Sequence, residues 1–83
     1  MTRVKMDWPN LTEEDAERRR SALRTMLEQG FNLPVKRLEF TRRNLEWLRR
    51  NISIENAEHP MLRTAFNMIV WLIRWDIRQK NAG

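Results

Sequence analysis

His59 is the sole histidine of the sequence, and it stands between Glu58 and Pro60 with Glu55 one helical turn before it. One imidazole and two carboxylates are a thin donor set for a divalent metal, because zinc sites ordinarily use four ligands with further imidazoles or thiolates among them. Cysteine is absent, which removes thiolate ligands, thiol nucleophiles and disulfides together. Ser21 and Ser53 are the two serines. A set of Ser53, His59 and Asp76 carries no motif that would bring the three together, and there is no glycine-rich phosphate loop. The sequence therefore predicts no enzyme: no catalytic residue, metal ligand, cofactor or small-molecule substrate is assigned. Helix capping and solvent are the simpler employment of His59, Glu55 and Glu58.

Arginines offer more. Three seven-residue units follow one another, Leu33–Glu39 (LPVKRLE), Phe40–Glu46 (FTRRNLE) and Trp47–Ser53 (WLRRNIS). The last two share Arg-Arg-Asn and align Phe40 with Trp47. Seven residues are about two helical turns, so each column becomes a stripe. Leu38, Thr41, Leu45, Leu48 and Ile52 form the seam expected to face a core. Phe40 and Trp47 fall roughly 130° from its centre, beside Asn44 and Asn51. Arg42, Arg43, Arg49 and Arg50 take the other flank, where they suit phosphates or carboxylates on a partner. The plainer reading is a solvated face, with Glu39–Arg43, Arg42–Glu46 and Glu46–Arg50 as intrahelical ion pairs at the i,i+4 spacing. A helix-turn-helix fits poorly, since Met26 stands where a small residue is wanted and Lys36 and Glu39 where apolar ones are.

The third set is aromatic. Between Met61 and Ile77, apolar residues surround a polar sector of only about 60°, made by Arg63, Asn67, Arg74 and Arg78. Two short neighbouring helices would not readily cover that much apolar surface, which leaves three ways to cover it: the arm with Trp8, a second molecule, or, most plainly, a central place for this helix within its own chain. Met68, Trp71 and Trp75, with Phe40 and Trp47, are the expected anchors of a protein contact. Arg42, Arg43, Arg49, Arg50, Arg74 and Arg78 would be its charged rim.

Three helices must position these groups. Thr12 caps the first, with Asp15 at the capping-box position and acids in the first turn, and Gly30 ends it in a left-handed conformation, giving 13–29. Pro34 begins the second, which runs to a cap at Asn51. His59-Pro60 opens the third, which reaches about Gln79, with a frayed tail over 80–83. Residues 1–11 form an extended arm carrying Trp8, and 52–59 connect the last two helices. The fold class is all-α, a compact three-helix bundle in one 83-residue domain.

Composition sets the outer bounds. The net charge is +5, concentrated in Gly30–Asn51 and Pro60–Gly83, and suits nucleic acid or an acidic protein surface. Met1–Asn10 has no hydrophobic signal core, and the uncharged run Thr64–Ile73 is too short to cross a bilayer. The narrow polar sector of the third helix argues against a membrane-surface helix. A reducing cytoplasm is the expected compartment. The sequence thus reads as a small binding or regulatory protein acting by protein contacts, as a homodimer or on a larger acidic partner. The alternative is nucleic-acid binding through the arginine-rich helix 34–51.

Overall fold

The computed structural model describes residues 11–82. The arm with Trp8 lies outside these residues, apart from Leu11, which is half-buried against the core. Three helices follow in order: α1 (Glu13–Gly30), α2 (Arg42–Glu55) and α3 (Leu62–Ala82). The all-α, three-helix expectation is what the structure shows.

Helix α1 starts where its cap dictates. The Thr12 hydroxyl accepts from the Asp15 N–H at 3.2 Å, and Asp15 Oδ2 accepts from the Thr12 N–H at 2.9 Å, a reciprocal capping box. Glu13, Glu14 and Asp15 in the first turn complement the dipole. Its other end departs from expectation. Gly30 is the last helical residue and has no positive φ; Asn32 adopts the left-handed conformation instead, at φ 56°. The Leu27 carbonyl accepts from both Phe31 and Leu33, so the reversal falls two residues later than the glycine.

Residues 31–41 are not helical, which corrects the predicted start of the second helix at Pro34. This segment buries Phe31, Val35 and Phe40 from an irregular backbone. Arg24 of α1 holds it, donating through Nη2 to the Leu38 carbonyl at 2.8 Å and through Nε to the Val35 carbonyl at 3.3 Å, with its guanidinium 4.5 Å from the Phe40 ring centroid. Helix α2 begins where Thr41 accepts from the Asn44 N–H, so Thr41 is an exposed cap and not part of the seam. The other end is also displaced. Asn51 donates its side chain to the Trp47 carbonyl within the helix, and Asn56 supplies the cap by donating its N–H to Ile52. Residues 52–55, expected in a connector, complete α2.

Helix α3 lies between the other two, packing against both. The nine innermost residues are Ala16, Leu23 and Leu27, then Leu45, Leu48 and Ile52, then Ala65, Ile69 and Leu72, three from each helix. Burying each leucine or isoleucine contributes about 1.5–3 kcal/mol. The expected fraying over 80–83 is corrected as far as Ala82: the helix continues, with Lys80 pairing to Asp76 at 3.7 Å and complementing the C-terminal dipole. Among the described residues no helix is long and apolar enough to cross a membrane.

Candidate interaction surface

The aromatic residues divide between core and surface. Trp71 and Trp75 are 9% and 3% exposed, stacked at 5.7 Å with an interplanar angle of 6°. Polar groups of α1 contribute to their cover. The Arg19 guanidinium sits 4.2 Å from the Trp71 ring centroid, and Glu13 Oε1 accepts from Trp75 Nε1 at 3.4 Å. The second Glu13 oxygen accepts from Arg20 at 2.6 Å, and this bond, with that from Trp75, holds the Glu13 carboxyl below its ordinary pKa. The expectation that these two tryptophans stand exposed is thereby corrected: counting only apolar neighbours omits what arginine stems and carboxylates cover. Phe40 is corrected in the same way, buried at 8% beneath Arg24. Met68 is half-buried against the core.

Trp47 differs. It is 52% exposed, and Ile54, seven residues on, is 76% exposed. On helical geometry Leu45, Leu48 and Ile52 point to the core, and Arg43, Trp47, Arg50 and Ile54 share a sector about 60° wide on the opposite side. They form one line along α2, each within three or four residues of the next. Ile54 escaped the sequence reading because it fell in the presumed connector, although its seven-residue distance from Trp47 places both in one column.

Three of the four arginines around this line have no ion pair among the described residues. Glu46 pairs with Arg49 at 3.1 Å, and among the described residues Arg42, Arg43 and Arg50 have no ion pair. The three expected i,i+4 pairs do not form. Glu39 lies before the helix begins and cannot meet Arg43 across a turn, and Glu46 is engaged one residue earlier than Arg50. Arg42 and Arg43 also occupy the first turn of α2, where no acid offsets them and the helix dipole is unfavourable to cations. Arg74 and Arg78 are exposed on α3.

His59 has an architectural position. Its Nδ1 accepts from the Met61 N–H at 3.0 Å, so the hydrogen is on Nε2, which donates to the Gly30 carbonyl at 2.6 Å. Its ring stacks on Phe31 at 3.9 Å. Ser53 donates to the Arg49 carbonyl and Asp76 pairs with Lys80, so each member of the nominal triad is engaged elsewhere. Among the described residues no three metal-ligating side chains of the His, Cys, Asp and Glu types converge.

Two hollows are less informative. One of about 480 Å³, open between the start of α2, the middle of α1 and the end of α3, is lined by Arg20, Arg24, Arg42, Asp76 and Lys80 among others, most of them already paired. Another of about 530 Å³ lies beside Met26, Gly30 and Met61. Neither is lined by Trp47 or Ile54. Comparison with family models, with curated proteins and with solved structures gives no match to this chain.

Proposed function

We propose that this chain is a non-enzymatic binding protein that docks an acidic protein surface on the solvent side of α2. The observation that carries the reading is Trp47, half-exposed and flanked by Arg43 and Arg50, neither ion-paired among the described residues. A tryptophan there adds little to the core, and tryptophan and arginine are the residue types most enriched where protein contacts concentrate their energy. Unpaired arginines meet carboxylates bidentately and steer an acidic partner into register.

The same charges argue for a different protein over a second copy. Two α2 faces laid together would bring Arg43 and Arg50 of both chains into one contact, and like charges at an interface are repulsive. Burial of Trp71 and Trp75 also takes two anchors from a dimer through α3, where Met68 stays half-buried and a shallow hollow lies beside Phe66, Val70 and Arg74. Nucleic acid is the second reading, favoured by the unpaired state of Arg42, Arg43 and Arg50, with Trp47 available to stack. Ile54 tips the choice toward protein, since an aliphatic side chain beside the tryptophan extends an apolar contact and offers nothing to a base or phosphate.

Affinity capture from native lysate, with and without nuclease, tests the proposal. Capture by the wild-type chain should survive nuclease and fall at least about tenfold with Trp47→Ala or with Arg43→Glu and Arg50→Glu together. Nuclease-sensitive capture would replace it with the nucleic-acid reading.

A further inference from the structure

The shape of this surface says more about the partner than its charge does. Helix α2 packs on α3 and makes no packing contact with α1, so among the described residues no neighbouring helix widens the line of Arg43, Trp47, Arg50 and Ile54 into a flat patch. What remains is the outer ridge of one cylinder about 10 Å across, with Trp47 and Ile54 about 10 Å apart along its axis. A flat partner touching that ridge would leave the sides of Trp47 wet and gain little from Ile54. A concave partner desolvates both side chains and lets acids on its walls reach the arginines on the ridge. Anchors at i and i+7 on one helix are also the pattern by which a helix lies in an apolar groove.

Resting on the proposed docking of a protein partner at α2, we infer that α2 is the inserted element: it enters an acid-rimmed apolar groove on that partner, with Trp47 and Ile54 as anchors and Arg43 and Arg50 at the rim. The partner supplies the pocket and this chain supplies the helix. A groove closes over both sides of the ridge, so Glu46 and Asn51, roughly 50–90° to either side of its midline on helical geometry, become covered on binding.

The absence of cysteine leaves each single-cysteine variant with one labelling site on this chain. Single variants Ile54→Cys, Glu46→Cys and Asn51→Cys, with Ser21→Cys on the exposed surface of α1 as reference, are labelled with a maleimide-polyethylene glycol in nuclease-treated native lysate. Each rate is taken relative to the reference and to the purified chain. The groove predicts slowing on the order of tenfold at positions 54, 46 and 51 alike, abolished by adding Trp47→Ala. Slowing at position 54 with 46 and 51 unaffected overturns the groove and leaves protein docking at α2 standing. No slowing at any of the three, while capture of a protein persists, places the contact elsewhere and overturns both. Slowing seen in untreated lysate and lost on nuclease treatment overturns both in favour of nucleic acid.

Discussion

The imidazole of His59 donates to the carbonyl of Gly30 at 2.6 Å while accepting the N–H of Met61 on its other nitrogen. One side chain thus occupies an orphan carbonyl at the end of α1 and an orphan donor at the start of α3. His59→Ala should lower stability by about 1–2 kcal/mol and the melting temperature by roughly 5–15 °C. Asn at this position reaches the Met61 N–H but not Gly30, so His59→Asn should recover about half of the loss. Thermal denaturation followed by circular dichroism checks both values, and equal losses for the two variants would contradict the bridging role.

Arg24 should matter more than a half-buried arginine usually does. Arg24→Leu keeps apolar cover over Phe40 but deprives the Leu38 carbonyl of its donor; the Val35 carbonyl retains the Leu38 N–H. We expect a loss of about 2 kcal/mol, with amide exchange rising across 33–40 before it rises in α2. Arg24→Lys should not rescue, because one ammonium cannot span two carbonyls and lie over the ring. Hydrogen exchange by mass spectrometry resolves the segment.

Acid should weaken the start of α1. The Thr12 N–H, and then its hydroxyl, hold the Asp15 carboxyl below its ordinary pKa. A folded-state value below the unfolded one means that ionised Asp15 stabilises above the usual carboxylate range, and that the contribution disappears as pH falls through the lowered folded value. Glu13 acts in the same sense through Arg20. Asp15→Asn should therefore lower the melting temperature at pH 7 and leave it nearly unchanged near pH 2. Melting curves across that range settle the sign.

Gly30 and Asn32 should respond oppositely to alanine. A Cβ at Gly30 would meet Met61 Sδ at 3.9 Å and Met26 Cγ at 4.0 Å, ordinary contacts, on a helical backbone. Gly30→Ala should stabilise by about 0.5–1 kcal/mol. Asn32→Ala should cost about 1 kcal/mol at φ 56°, and Asn32→Gly should not. Urea midpoints measure all three.

Docking and folding should separate by position. Trp47→Ala and Ile54→Ala should leave stability within about 0.5 kcal/mol, whereas Trp75→Ala should cost about 3–5 kcal/mol. Chemical denaturation of the three variants shows whether the ridge on α2 is free of structural duty.

Much of the fold could be read from local chemistry. Thr12 and Asp15 mark the start of α1 because their bonds span three residues, and Leu45, Leu48 and Ile52 mark the inner face of α2 because their spacing is helical. The start of α2 was hidden for the opposite reason. What holds 31–41 out of a helix is Arg24, bonded 11 and 14 residues away, and Pro34 imitates a helix start convincingly. Thr41, the true cap, was absorbed into a stripe by the seven-residue repeat. The candidate site was half legible: Trp47, Arg43 and Arg50 were singled out by that repeat. Trp71 and Trp75 misled, because Arg19 and Glu13 contribute cover that a tally of apolar residues ignores.

The position of α3 has a consequence for biogenesis. Helices α1 and α2 pack on α3 and not on each other, yet α3 is the last of the three to be synthesised. While the ribosome is making residues 13–55, neither finished helix has its docking surface, and isolated helices of 18 and 14 residues are marginal in water. The nascent chain therefore acquires its core in one late step, when α3 emerges, and until then holds Leu23, Leu27, Leu45 and Leu48 open to chaperones.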